Sequence, residues 1–148
     1  MKLAVASDHA GLLLRAEAVK AARELGHEVE DLGPAGAESV DYPDFARRVG
    51  QRVASGEAQA GVLVCGTGIG MSIAANKVPG IRAALCTSEF EARMARAHND
   101  ANVLCLGERV VGAGLAGSIV RAFLSQPFEG GRHERRVAKL RELDSRKT

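Results

Sequence analysis

The 148-residue sequence predicts an α/β protein, a three-layer αβα sandwich in which helices cover both faces of a five-stranded parallel sheet. Three observations carry this expectation. Short apolar runs of strand type alternate with longer segments of helical period. No low-complexity linker and no solenoid-length repeat interrupts the alternation. One run, "AGVLVC" at 60–65, is apolar or small throughout, as a strand buried on both faces requires. A chain of this length forms one domain, 1–148, and buries roughly 70% of its unfolded surface.

The elements follow in order. "KLAVAS" (2–7) is the first strand, and Leu12, Leu13, Ala16, Val19 and Leu25 then recur on a helical stripe that Gly26 ends. "HEVEDLG" alternates as a second strand. After the turn-rich "GPAGAESVDYP", a helix is expected over Asp44–Ser55, with Asp44 as an early acidic residue and Gly56 as its stop. "AGVLVC" is the third strand. From Gly68 or Gly70 a short helix runs to about Lys77 and is halted by Pro79 and Gly80. Strand "RAALC", a helix from Ser88 as cap to about His98, strand "NVLCLG" and a helix from about Gly112 to Leu124 repeat the pattern. Pro127 and the pair Gly130-Gly131 break the chain before a basic C-terminal helix at 132–145. Right-handed crossovers between such strands give a Rossmann-like sheet.

Composition narrows the function classes. The amino terminus, "MKLAVASDHAG", has an apolar run too short for a signal peptide or a spanning helix, so the expectation is a soluble cytoplasmic protein with no membrane partner. Three cysteines, Cys65, Cys86 and Cys105, are an odd number without metal-ligand spacing, which points to reduced thiols. Residues 132–148 hold seven basic and three acidic residues, net +4, and the first 131 hold 13 and 15, net −2. The positive charge is therefore local. With no tryptophan, one tyrosine and four phenylalanines, the chain has little with which to stack bases, and nucleic acid is not an expected partner.

Two loops are built for the sheet edge where ligands bind in doubly wound folds: "SDHAG" after the first strand and "CGTGIGMS" after the third. If strands one and three are neighbours, Asp8 and His9 face Cys65 and Thr67 across the switch point. Gly66, Gly68 and Gly70 let successive N–H groups turn inward over a helix start, forming an anion hole. Familiar loop chemistries fail the spacing. A dinucleotide fingerprint from Gly66 needs glycine or alanine where Met71 stands, a thiol phosphatase needs arginine there, and neither a P-loop nor a G-x-S-x-G elbow occurs. What remains is a thiol beside backbone donors and the hydroxyls of Thr67 and Ser72. Amides at a helix start stabilise a thiolate, which can act as a base. The plainer alternative for Cys65 is a small buried residue, the reading given to Cys86 and Cys105. Asp8 has an alternative as a helix cap, and His98 as an ordinary surface or core histidine. Arg132 and Arg136, four apart on one helix face, suit either a phosphate clamp or an exposed basic surface.

Taken in order, "SDHAG", "DYPDFA", "GVLVCGTGIGMSIAANKVPGIRAALC", "HNDANVLCLGERVVG" and "FEGGRHERRV" strongly resemble the type B ribose-5-phosphate isomerases over nearly the whole chain. The wider family includes galactose-6-phosphate isomerase subunits and allose-6-phosphate isomerases. The resemblance implies aldose–ketose isomerisation through an enediolate, with neither metal nor nucleotide cofactor. It implies Cys65 as the base between C1 and C2, the amides from Gly66 to Gly70 as the enediolate pocket, and Thr67 and Asp8 as aids to ring opening or hydroxyl proton transfer. His98 resembles the group that opens the furanose ring, and Asn99 the one that orients the open sugar. The phosphate falls to His9, Arg132 and Arg136, with Arg109 a further candidate and Tyr42 lining the pocket. Other readings are an isomerase of six-carbon phosphosugars or free sugars, and a sugar-phosphate binding module without turnover. Helices in such a sandwich run antiparallel to the strands, so His98 at the end of the fourth helix lies at the edge opposite its own Cys65. A composite site across a two-fold homodimer, with tetramers also compatible, is the expected solution.

Overall fold

The computed structural model describes residues 1–144. The apolar runs become β1 (Lys2–Ser7), β2 (Glu28–Asp31), β3 (Ala60–Cys65), β4 (Ala83–Leu85) and β5 (Val103–Gly107). Between and after them lie α1 (Leu12–Glu24), α2 (Tyr42–Ala54), α3 (Ile69–Ala75), α4 (Glu89–Asn99), α5 (Ala113–Ser125) and α6 (Arg132–Asp144). Every strand pairing is parallel, in the order β2-β1-β3-β5-β4, so β1 and β3 are neighbours as the switch point requires. The predicted Rossmann-like sandwich is present.

Side chains alternate between two apolar layers with the period of two that a pleated strand imposes. Leu3, Val5, Val62, Val64, Leu104 and Leu106 pack with α1, α4 and α5. Ala4, Ala6, Leu63, Cys65, Val103 and Cys105 pack with α2 and α3. Both faces of β3 are thus covered, which explains why its sequence carries no polar alternation.

Boundaries differ from expectation where local chemistry decides them. The second helix begins at Tyr42 rather than Asp44, because Pro43 fits the first turn, where a missing N–H costs nothing. The third ends at Ala75 rather than near Lys77: the amides of Lys77 and Val78 turn back to Ala74 and Ala75 in tight three-residue turns. Ser88 is the cap of α4, its hydroxyl accepting from the Glu91 amide. The last helix is followed to Asp144, and residue 145 of the expected span lies outside the described residues.

Asp8 does not cap α1. Its Oδ1 accepts instead from the Ala10 amide at 2.9 Å, closing a local turn, and the α1 N-cap position, Gly11, makes no side-chain bond. The orphan amides of α1 are taken by Glu108, whose Oε2 accepts from Leu13 and Leu14 at 3.0 and 3.1 Å. A carboxylate at a helix start is favoured by the aligned peptide dipoles as well as by hydrogen bonding. Glu108→Ala is therefore expected to cost about 1–2 kcal/mol, seen as a lower denaturant midpoint with an unchanged slope. An unshifted midpoint would mean that solvent serves these amides equally well.

Candidate active site

Register brings the loops together. Ser7 pairs with Val64, and Cys65 with Gly107, so β1, β3 and β5 end at one edge. The chain leaves that edge through Asp8, Gly66 and Glu108. Asp8 is 6% exposed and its amide donates to the Val64 carbonyl at 3.1 Å, fixing the first loop against the third strand. Gly11 has no room for a side chain, since a methyl group there would stand 2.7 Å from the Val64 carbonyl oxygen.

Cys65 closes β3. It is 5% exposed, and its Sγ accepts the Gly68 N–H at 3.1 Å. That bond depends on Gly68 holding a left-handed conformation, φ +79°, at the N-cap of α3. The Thr67 Oγ1 accepts from Ile69 at 3.2 Å and Thr67 itself is exposed. The Ser72 hydroxyl turns back to donate to the Ile69 carbonyl at 2.9 Å. Arg109 lies over the loop: its amide donates to the Gly66 carbonyl, and its guanidinium occupies the space beside Gly66. The Tyr42 ring occupies the space beside Gly70, at the mouth of a cavity of about 420 Å³ that Arg47, Ile73 and Lys77 also line. His9 is exposed, with Nδ1 accepting from the Val40 amide at 3.2 Å. One edge thus gathers Asp8, His9, Tyr42, Cys65, Gly66, Thr67, Gly68, Gly70, Ser72 and Arg109.

The remaining predicted residues lie elsewhere. His98 and Asn99 end α4, two residues before Ala101 and Asn102 lead into the start of β5, and the Asn102 carbonyl accepts from Gly61 at the start of β3. That is the amino edge of the sheet. Arg132 and Arg136 are exposed on α6, which packs on α4, and the intervening His133 stacks on His98. Within one chain the histidine and arginine group is therefore separated from Cys65 by the length of the strands, as the antiparallel course of the helices predicts.

The other two thiols behave as packing groups. Burial pushes the Cys86 thiol up to about 12, with the nearby Glu91 charge adding to it. Cys105 is fully buried and is raised by burial first and then by the neighbouring sulfurs of Cys65 and Cys86. Four residues at or near these two groups were not singled out in the sequence: Gly107, Glu108, Glu129 and His133. Gly107 has a readable signal, a glycine ending an apolar strand as Gly66 follows β3, and a methyl group there would stand 2.4 Å from the Thr67 carbonyl oxygen. The other three act through partners distant in sequence.

A parallel sheet with a buried thiol and a glycine-rich loop at its switch point, and a cluster of histidines and arginines at its far edge, has the layout of an α/β enzyme of small ligands. The chain belongs to the ribose/galactose isomerase family, whose model matches residues 3–140. It is 47% identical over 146 residues to ribose-5-phosphate isomerase B of Escherichia coli K12, covering 99% of this chain and 98% of that one. The solved ribose-5-phosphate isomerase B of Clostridium thermocellum superposes with a TM-score of 0.95 at 55% identity, over 97% of both chains. That of Mycoplasma genitalium, solved with bound ribulose-5-phosphate, gives 0.94 at 42% identity over 99% of this chain and 97% of that one. Among the described residues no helix is long and apolar enough to cross a membrane.

Proposed function

We propose that this protein is an aldose–ketose isomerase that interconverts ribose 5-phosphate and ribulose 5-phosphate, with Cys65 as the base. The observation that carries the reading is the 3.1 Å bond from the Gly68 amide to the buried Cys65 sulfur at the head of the glycine loop. That bond fixes the sulfur at the loop, and the same loop offers amides to an oxygen that gains charge.

The sugar ring opens first. His98 gives a proton to the ring oxygen as its bond to C1 breaks, and Asp8 takes the proton of the C1 hydroxyl, leaving an aldehyde. The Cys65 thiolate then removes the hydrogen on C2. The electron pair forms the C1–C2 double bond, and the negative charge moves to O1 among the amides of Gly66 to Gly70. Returning the hydrogen to C1, with transfer of the O2 proton to O1 beside Thr67, gives the ketose. Arg132, Arg136 and His9 hold the phosphate, with Arg109 and Tyr42 at the pocket wall and Asn99 on the open sugar. Guanidinium groups on a phosphate dianion fix the reacting carbon without entering the chemistry.

His98, Arg132 and Arg136 reach the loop from a second copy of the chain in a two-fold homodimer. Ile69 and Ile73, one turn apart on α3 and 52% and 57% exposed beside the loop, offer an apolar surface for that partner. Mixing Cys65→Ala chains with His98→Ala chains tests this. Each mixed dimer carries one intact site, so random exchange restores about one quarter of the wild-type activity. No recovery in dimers confirmed to be mixed would place both residues in one chain's site.

A further inference from the structure

His98 has two neighbours to which the proton transfers above give no part. Its ring stacks on His133, with centroids 4.2 Å apart and planes 11° from parallel. Glu129 Oε2 stands 3.9 Å from His98 Nε2 and 3.8 Å from His133 Nε2. The backbone imposes this arrangement. The Glu129 amide donates to the Ala97 carbonyl at 3.0 Å, tying Glu129 to the last turn of α4 one residue before His98. Gly130 and Gly131, at φ 64° and 54°, then reverse the chain, and His133 returns beneath His98 with its own amide bonded to the Gly130 carbonyl.

Each neighbour removes a different freedom. Stacking fixes the plane of the His98 ring, and a carboxylate facing Nε2 fixes the rotation within that plane. His133 is 7% exposed, whereas the His98 side chain is 37% exposed and free to meet a ligand. Burial first, then the charges of His98 and Arg132, lower the His133 pKa; Glu129 opposes this and Arg136 adds to it. The buried ring is the platform under an exposed one. These three residues also bring their metal-ligating atoms within 4.8 Å of one another. Parallel stacked rings, however, aim their nitrogen lone pairs side by side rather than at one point, which is the geometry of support and not of coordination.

We infer that Glu129 and His133 are positioning residues that hold the His98 imidazole at the angle from which it protonates the ring oxygen of the sugar. The inference rests on the ring-opening role proposed for His98. It follows the general pattern in which an acid–base group is oriented by a third residue behind it.

The test uses two substrates that differ in one step. Ribose 5-phosphate must be opened before enolisation. Ribulose 5-phosphate is already open, because its O5 carries the phosphate, so exchange of a C1 hydrogen with D₂O needs the base alone. Glu129→Gln is expected to lower ribose 5-phosphate turnover about tenfold while the exchange rate stays within about twofold of wild type. His133→Ala is expected to show the same split, and Glu129→Asp, which keeps the charge but retracts it, a smaller one. Equal losses in both assays, or no loss in either, would overturn the positioning role. Zinc binding by the wild type that disappears in both Glu129→Gln and His133→Ala would overturn it in favour of a metal site. His98→Ala separates the two levels: no split in that variant removes the underlying reading, whereas a split there but not in Glu129→Gln removes only this inference.

Discussion

Replacing Cys65 by alanine is expected to lower kcat on ribose 5-phosphate by about 10³-fold, within the 10²–10⁴ range that a positioned proton-transfer group supplies. The loss follows from chemistry rather than folding. The sulfur is small and sits where β3 ends, so its loss costs about 1 kcal/mol of packing and leaves the buried Gly68 amide without its acceptor; the denaturant midpoint falls accordingly, while circular dichroism under native conditions is expected to stay near wild type. Serine at this position does not restore turnover, because a hydroxyl far from ionisation at neutral pH cannot replace a thiolate. Cys86→Ala is the matched control: that thiol is pushed up to about 12 and lies in the opposite apolar layer, and its removal is expected to leave kcat unchanged. Steady-state rates for the two variants decide the matter, and a Cys65→Ala enzyme with wild-type kcat would end the assignment.

Gly68→Ala is the second large effect, and it acts on both stability and turnover. At φ +79° an alanine is strained by about 1–2 kcal/mol. Its methyl group would also stand 2.5 Å from Leu85 Cδ1 and 2.9 Å from the Leu106 backbone carbon, which cannot give way as a flexible side-chain end does. With overpacking at about 1–3 kcal/mol, the expected loss of stability is about 3 kcal/mol. The loop must move to relieve the contact, and its movement takes the amide away from Cys65 Sγ, so kcat is expected to fall about 10²-fold in the molecules that remain folded. Gly112→Ala provides the comparison, with ordinary φ and nothing within 4 Å of the added methyl. Equal denaturation midpoints and equal rates for the two variants would mean that the loop tolerates side chains and that its conformation is not what holds the amide on the sulfur.

Much of this was readable from the residues, and the physical reason differs by level. Buried parallel strands need unbroken apolar runs, so "AGVLVC" and "NVLCLG" announced β3 and β5 directly. Strand order was not readable, because β4 and β5 have similar composition and only pairing shows β5 inside and the three-residue β4 at the edge. The glycine spacing marked the loop, and the antiparallel run of helices against strands was enough to separate His98 from Cys65. Asp8 illustrates the limit at short range: an aspartate before a helix serves a cap or a local turn, and Ala10 rather than α1 receives it. Glu108 illustrates the limit at long range, since its carboxylate meets amides 95 and 94 residues earlier in the chain. Likewise the stack of His98 on His133 exists only once the Gly130-Gly131 turn folds α6 back onto α4.

The proposed division of labour between sulfur and imidazole is tested most directly by proton NMR of ribulose 5-phosphate equilibrated with enzyme in D₂O. Wild type and His98→Ala are predicted to place a single deuteron at C1 at comparable rates, and Cys65→Ala to slow that exchange at least about a hundredfold. Exchange at the wild-type rate in Cys65→Ala would show that another group moves the carbon-bound hydrogen.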